Sequence, residues 1–247
     1  MKALIHHQNK EYEIDLDQPI DISLPLEAGE GKVSAWYVPP VRIEPVRNGN
    51  WVGSVKEGGS VNFRDIYFNP HGHGTHTECV GHITKEWYSV NKSLKKHFFL
   101  TQLLTVTPEL QGEDSIIMRH QLNSVLLDNM EAVVIRTLPN DPSKRVRAYS
   151  NTNPPYIHVE AMKLIRENGV MHLLTDLPSV DRENDEGKLL AHHAFWGYPE
   201  NPLTEATITE FIYVDDNVED GLYLLNLQTA PFENDATPSR PVLYKIR

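Results

Sequence analysis

Apolar and polar positions alternate with a strand-like period of two over the opening stretches. Ile20-Asp21-Ile22-Ser23-Leu24 alternates, and Trp36-Tyr37-Val38 and Val41-Arg42-Ile43 flank Pro39-Pro40, so short strands are expected there. Asn48-Gly49-Asn50 and Glu57-Gly58-Gly59-Ser60 read as turns between them. Leu103–Thr107 is expected as a strand ahead of Pro108. Ser115 is placed to cap a helix whose apolar positions are Ile116, Ile117, Leu122, Val125 and Leu126. Ala132-Val133-Val134-Ile135 is an unbroken apolar run, the pattern of a strand buried on both faces. Asp141 to Pro155 has no period and is expected as a long loop.

Further on the period changes. Ala161, Leu164 and Ile165 recur at helical spacing between Val159 and Asn168, with Gly169 as the natural stop. Val170–Thr175 follows as a second buried strand. Strand, helix, strand in that order predicts a parallel crossover. Gly197–Thr204 reads as a loop, and Ala206–Val214, Leu222–Leu227 and Pro241–Ile246 read as strands. No internal repeat or flexible linker interrupts residues 1–247, so one α/β domain with a strand-rich N-terminal part is expected.

Composition narrows the function classes. The 247 residues carry 23 Lys+Arg against 34 Asp+Glu, a formal net charge of -11, which disfavours nucleic acid as a partner. No apolar run approaches the roughly 20 residues of a membrane span, and the start turns polar at His6 after three apolar residues. A single cysteine, Cys79, leaves no intramolecular disulfide, and a cytoplasmic protein is expected.

The candidate chemistry lies in histidine. Of 12 histidines, four fall between residues 71 and 82: His71, His73, His76 and His82, with Glu78 among them. On a strand His76, Glu78 and His82 share one parity and His71 and His73 the other, while Gly72 and Gly74 permit the bend that would bring both sets together. Imidazole and carboxylate without thiolate suit an open zinc, manganese or iron site rather than a closed structural one. Cys79 falls on the face opposite Glu78 and is expected to pack. Two metal folds fit the spacing. His71-Gly72-His73 followed by Glu78 has the His-x-His and later Glu of cupins, but the glycines bracketing that element and the second cupin block have no counterpart here.

Gly74-Thr75-His76-Thr77-Glu78 with His82 beyond it resembles the H-x-G-T-H-x-D-x-P-x-H motif of the cyclase family of metal-dependent hydrolases, which includes the bacterial kynurenine formamidases. Asp21-Ile22-Ser23-Leu24-Pro25-Leu26 is similar to that family's N-terminal strand. Asp176-Leu177-Pro178-Ser179-Val180-Asp181 resembles its D-x-P-S-V-D segment, with His192-His193 after it, and Ile208-Thr209-Glu210-Phe211 resembles the strand bearing its late glutamate. The resemblance implies a swivelling β/β/α fold and a divalent cofactor, zinc or manganese, as one or two ions. It implies His71, His76, Glu78, His192 and Glu210 as metal ligands, and His82 and Glu210 as the groups that move protons. His71 and His73 straddle the place of the first ligand, and the Pro70-His71 pair favours His71. His193 is expected to pack or hold a hydrogen bond. The activity implied is hydrolysis of an amide, formamide or cyclic amide of a small, aromatic molecule by a homodimer or homotetramer. Trp87, Tyr88, Phe195, Trp196 and Tyr198 lie near these elements in sequence and are candidates for an aryl pocket. A cupin-like oxygenase and a metal-stabilised binding protein without turnover are the alternatives.

Overall fold

A computed structural model describes residues 1–246. Eight strands form its central sheet: β1 (Ile20–Asp21), β2 (His76–Cys79), β3 (Phe98–Val106), β4 (Ala132–Thr137), β5 (His172–Thr175), β6 (Thr207–Glu210), β7 (Gly221–Thr229) and β8 (Ala236–Lys245). Their order is β7-β3-β4-β5-β6-β2-β8-β1, and β7 also pairs with β8, so seven strands close into a barrel with β1 outside it. β3, β4, β5 and β6 run parallel, and β2, β7 and β8 run antiparallel to their neighbours. The helices are α1 (Val90–Ser93), α2 (Arg119–Asn123), α3 (Val159–Glu167) and α4 (Leu190–Trp196). This is the mixed α/β, strand-rich architecture that the sequence pattern predicts.

The apolar runs are continuous because both sides of these strands are covered. Val133 and Ile135 of β4 and Leu173 of β5 pack outward with Ala161, Met162 and Ile165 of α3 and Phe195 and Trp196 of α4. Ala132, Val134 and Leu174 point the other way, into a barrel interior shared with Leu103, Tyr223, Leu225 and Leu243. β4, α3 and β5 form the predicted parallel crossover, with Val134 beside Leu174. α3 starts at His158, whose Nδ1 accepts from the Glu160 amide at 3.2 Å, and ends before Gly169 at φ +80.

Two local expectations are corrected. Ser115 caps no helix: Asp114–Ile117 is a strand, antiparallel to Glu109–Gln111 and parallel to Tyr156–Ile157, and α2 begins only at Arg119. Backbone partners on both sides outweigh a marginal helical period over so few residues. Trp36-Tyr37-Val38 is a turn and not a strand, with Trp36 at φ +60 and Tyr37 at φ +57. Tertiary hydrogen bonds hold that left-handed pair: Ala35 N donates to Gly72 O at 3.1 Å and Tyr37 N to Ser150 Oγ at 2.9 Å. The segment from Asp141 to Pro155 is irregular as expected, apart from a single turn of 3-10 helix at Pro142–Arg145. No helix among the described residues is long and apolar enough to cross a membrane.

Candidate active site

β2 runs between β6 and β8, with His76 opposite Glu210 of β6 and Glu78 opposite Ile208. His76 and Glu78, two residues apart on one strand, share a face. His76 Nε2 consequently lies 3.4 Å from Glu210 Oε2. Glu210 is the last residue of β6 because Phe211, at φ +55, turns the chain out of the ladder. Its other oxygen accepts from the Val180 amide at 3.0 Å. His76, Glu78 and Glu210 are all buried.

The loop that brings His71 over β2 depends on its glycines. Gly74 sits at φ +64 with Leu24 O 3.0 Å from where a Cβ would be. A Cβ on Gly72 would stand 2.7 Å from Val38 Cγ2, so only hydrogen lets this loop pack on the Trp36 turn. Thr75 knits the loop down, accepting from Leu24 N at 2.7 Å while its hydroxyl donates to Phe211 O. As a result His71 Nδ1 reaches Glu78 Oε2 at 3.0 Å. His73 points elsewhere: its Nδ1 accepts from Asn69 N at 3.0 Å and its Nε2 lies 3.0 Å from Pro39 O. Both of its ring nitrogens are occupied by backbone, and burial lowers its pKa.

After Cys79 the chain enters a 3-10 turn at Val80–His82, which replaces the regular strand assumed from sequence parity. The turn returns His82 to the site, its Nδ1 3.9 Å from Glu78 Oε2 and its ring centroid 4.2 Å from that of His71. Cys79 is fully buried, with Sγ against Tyr88 O at 3.6 Å, and burial raises its thiol pKa, so it packs. From the other side α4 delivers His192, whose Nε2 stands 3.2 Å from Glu78 Oε1. Asp181 fixes both helix and ring: its carboxylate accepts from Ala191 N at 2.8 Å and lies 2.6 Å from His192 Nδ1. His193 turns away, with Nδ1 3.0 Å from Tyr198 O.

The expected set of His71, His76, Glu78, His82, His192 and Glu210 is therefore brought together. Two carboxylates join it that the sequence reading gave no role. Asp235, just before β8, lies 2.8 Å from His71 Nε2 and 3.5 Å from His82 Nδ1. Asp181 was legible only as the end of a motif, and nothing local marks Asp235.

Charge follows this geometry. Burial pulls the His71 imidazole down, but hydrogen bonds to Asp235 and Glu78 outweigh it and push it up to about 10. The same balance, with Asp181 and Glu78 as partners, pushes buried His192 up to about 10. Burial raises the Glu78 carboxyl, yet the charge of His82 and hydrogen bonds from His192 and His71 hold it well below the usual range.

His71, Glu78, His82, His192 and Glu210 line a cavity of about 400 Å³ together with Trp36, Val38, Arg182, Glu183 and Leu189. The expected aromatic lining is not there. Trp87 is exposed, Phe195 and Trp196 are buried in the core, and Tyr88 and Tyr198 pack against that core. Trp36 supplies the aromatic wall instead.

Can these side chains hold a divalent cation? His71, His76 and Glu78 offer one donor atom each within 4.8 Å of one another, as do Glu78, His82 and His192, and His71, His82 and Asp235. His76 Nε2 is buried without a hydrogen-bond partner among the described residues, a costly arrangement unless something else satisfies it. Imidazole nitrogens and carboxylate oxygens converging on one point fit a divalent metal.

A family model described as "Putative cyclase" matches residues 14–182. The chain belongs to this cyclase family. The match spans the Asp21, His76 and Asp181 segments and stops before His192 and Glu210, which the fold brings to the same point. A kynurenine formamidase of Bacillus cytotoxicus is 26% identical over 227 residues, 91% of this chain and 96% of the relative. A solved structure titled a "predicted metal-dependent hydrolase" from Bacillus stearothermophilus superposes with a TM-score of 0.64 at 15% identity, covering 92% of this chain and 98% of that one. Isatin hydrolase A from Labrenzia aggregata superposes with a TM-score of 0.61 at 12% identity, over 92% and 93% of the two chains.

Proposed function

We propose that this protein hydrolyses an amide, formamide or cyclic amide of a small aromatic molecule, using a divalent metal held by His71, His76, Glu78, His192 and Glu210. The observation that carries the reading is His76 Nε2, buried without a hydrogen-bond partner among the described residues, with Glu210, which lines the cavity, 3.4 Å away. The two kinds of named relative support the substrate class, since one acts on a formamide and the other on a lactam. Zinc or manganese would suit the nitrogen and oxygen donors, as one ion or as two.

A divalent ion in such a site lowers the pKa of a bound water to about 7 and polarises a carbonyl oxygen. The chain's own groups do the rest. Glu210, fixed by the Val180 amide, would take a proton from water. His82, on the cavity wall and partly exposed, gives a proton to the leaving nitrogen. Trp36 offers its ring to the aryl portion of the substrate. Parallel pairing of β3 to β6 separates this barrel from the antiparallel double-sheet jelly roll of a cupin, and with it from the oxygenase alternative.

The test is turnover. Metal-loaded protein is given N-formyl aryl amines and isatin-like lactams, with and without a chelator. Hydrolysis of at least one class, abolished by the chelator and restored by metal, is expected. Metal bound with no turnover across both classes would instead identify a binding protein.

A further inference from the structure

Glu78 has an imidazole on each side, and each imidazole has a second carboxylate behind it. On one side His192 faces Glu78 through Nε2 and Asp181 through Nδ1. On the other His71 faces Glu78 through Nδ1 at 3.0 Å and Asp235 through Nε2 at 2.8 Å. The His71 ring thus lies between Asp235 and the centre of the cluster, because its two nitrogens point in opposite directions. Asp235 is not a free loop residue either. Its carbonyl accepts from Cys79 N at 3.0 Å, the residue before it accepts from Val90 N at 2.9 Å, and β8 starts immediately after it. Backbone bonds to β2 and α1 therefore set where its carboxylate sits.

We propose that Asp235 is a positioning residue for the metal site: it accepts a hydrogen bond from His71 Nε2–H, so that Nδ1, which faces Glu78 here, is the nitrogen that gives up its proton to bind metal. The same oxygen lies 3.5 Å from His82 Nδ1 and so also holds the His82 ring, whose centroid is 4.2 Å from that of His71 at a tilt of 31°. In this role Asp235 acts through His71 rather than as a ligand, although its own oxygen also lies within 4.8 Å of donor atoms of His71 and His82. A carboxylate behind a ligating histidine fixes its tautomer and ring orientation, and losing it typically weakens metal affinity by about 10–100-fold. The inference rests on the reading of His71 as a ligand.

Zinc is the probe, and its affinity is measured by chelator competition for the wild type, Asp235→Ala and Asp235→Asn, with thermal melts of the metal-free proteins as the folding control. Asp235→Ala is expected to bind about 10–100-fold more weakly. Asp235→Asn keeps an oxygen that accepts from Nε2–H and is expected to recover at least half of that loss on a logarithmic scale. Equal weakening in both variants would mean that the charge itself is needed, as in a direct ligand, and would overturn the positioning role. Wild-type affinity in Asp235→Ala would overturn it too. A wild type that takes up no zinc would overturn the metal reading itself, a different result from either. Histidine 15N shifts of the zinc-loaded wild type test the proposal without any variant. His71 must carry its proton on Nε2, and a proton on Nδ1 would overturn the proposal.

Discussion

Replacing Lys144 by Met should cost this protein much of its stability, although Lys144 lies in a segment with no regular pattern. Its Nζ bonds Asp176 Oδ2 at 2.8 Å, Thr137 O at 2.7 Å and Thr137 Oγ1 at 2.9 Å. Asp176 is buried and also accepts from Thr137 N at 2.9 Å. Burial raises its carboxyl pKa, against the opposing pull of Lys144 and Thr137. Lys144→Met leaves a buried carboxylate without its cation and Thr137 O without a donor. Breaking a buried pair in this way costs about 3–5 kcal/mol. The sign of the pH effect follows. Without Lys144 the folded-state pKa of Asp176 rises further above its unfolded value, so the variant regains stability as pH falls. Between pH 7 and pH 5 the gap to wild type should narrow by up to about 2.7 kcal/mol, the value of one proton over two pH units. Urea unfolding followed by tryptophan fluorescence at both pH values measures this. A double variant, Lys144→Met with Asp176→Leu, should recover most of the loss. A gap below about 1 kcal/mol at pH 7 with no narrowing at pH 5 would refute a dry, charged pair.

His172 gives a second pH signature at a distance from the candidate metal ligands. Burial, with the charge of Lys96, pushes it down to about 4, so its neutral form is stabilising above pH 6.5 and that contribution is lost as pH falls toward 4. Unfolding free energies should drop by about 2 kcal/mol between pH 7 and pH 5 on this account, and a His172→Gln variant with the same drop would assign it elsewhere. Trp36→Ala should raise KM for an aryl substrate roughly tenfold with little change in kcat, the size of one lost aromatic contact; unchanged kinetics would move the aryl site off this wall. His82→Ala should keep its metal while turnover falls by roughly a hundredfold or more, and metal loss measured by elemental analysis would make His82 a ligand instead.

What the sequence disclosed was mostly local. Ala132–Ile135 and Val170–Thr175 are apolar throughout because helices cover one side and the barrel interior the other, and that pattern needs no knowledge of partners. The histidines of residues 71–82 were legible because type and spacing alone mark them. Barrel closure was not, since β2 gives no sign that it pairs with both β6 and β8. Asp114–Ile117 misleads because so short an apolar stretch fits either period, and only its partners decide. Trp36 and Tyr37 are strand formers held in a left-handed turn by bonds to residues far along the chain. Asp235 meets His71 across 164 positions, a separation at which no spacing rule operates.

The central claim stands or falls with metal content and turnover measured side by side in the wild type and His76→Ala. His76 is fully buried, and removing it takes away the imidazole that faces Glu210 at 3.4 Å. The account predicts divalent metal in the purified wild type with hydrolysis of an N-formyl aryl amine, and loss of both in a folded His76→Ala protein. Full metal content and unchanged turnover in that variant would contradict it.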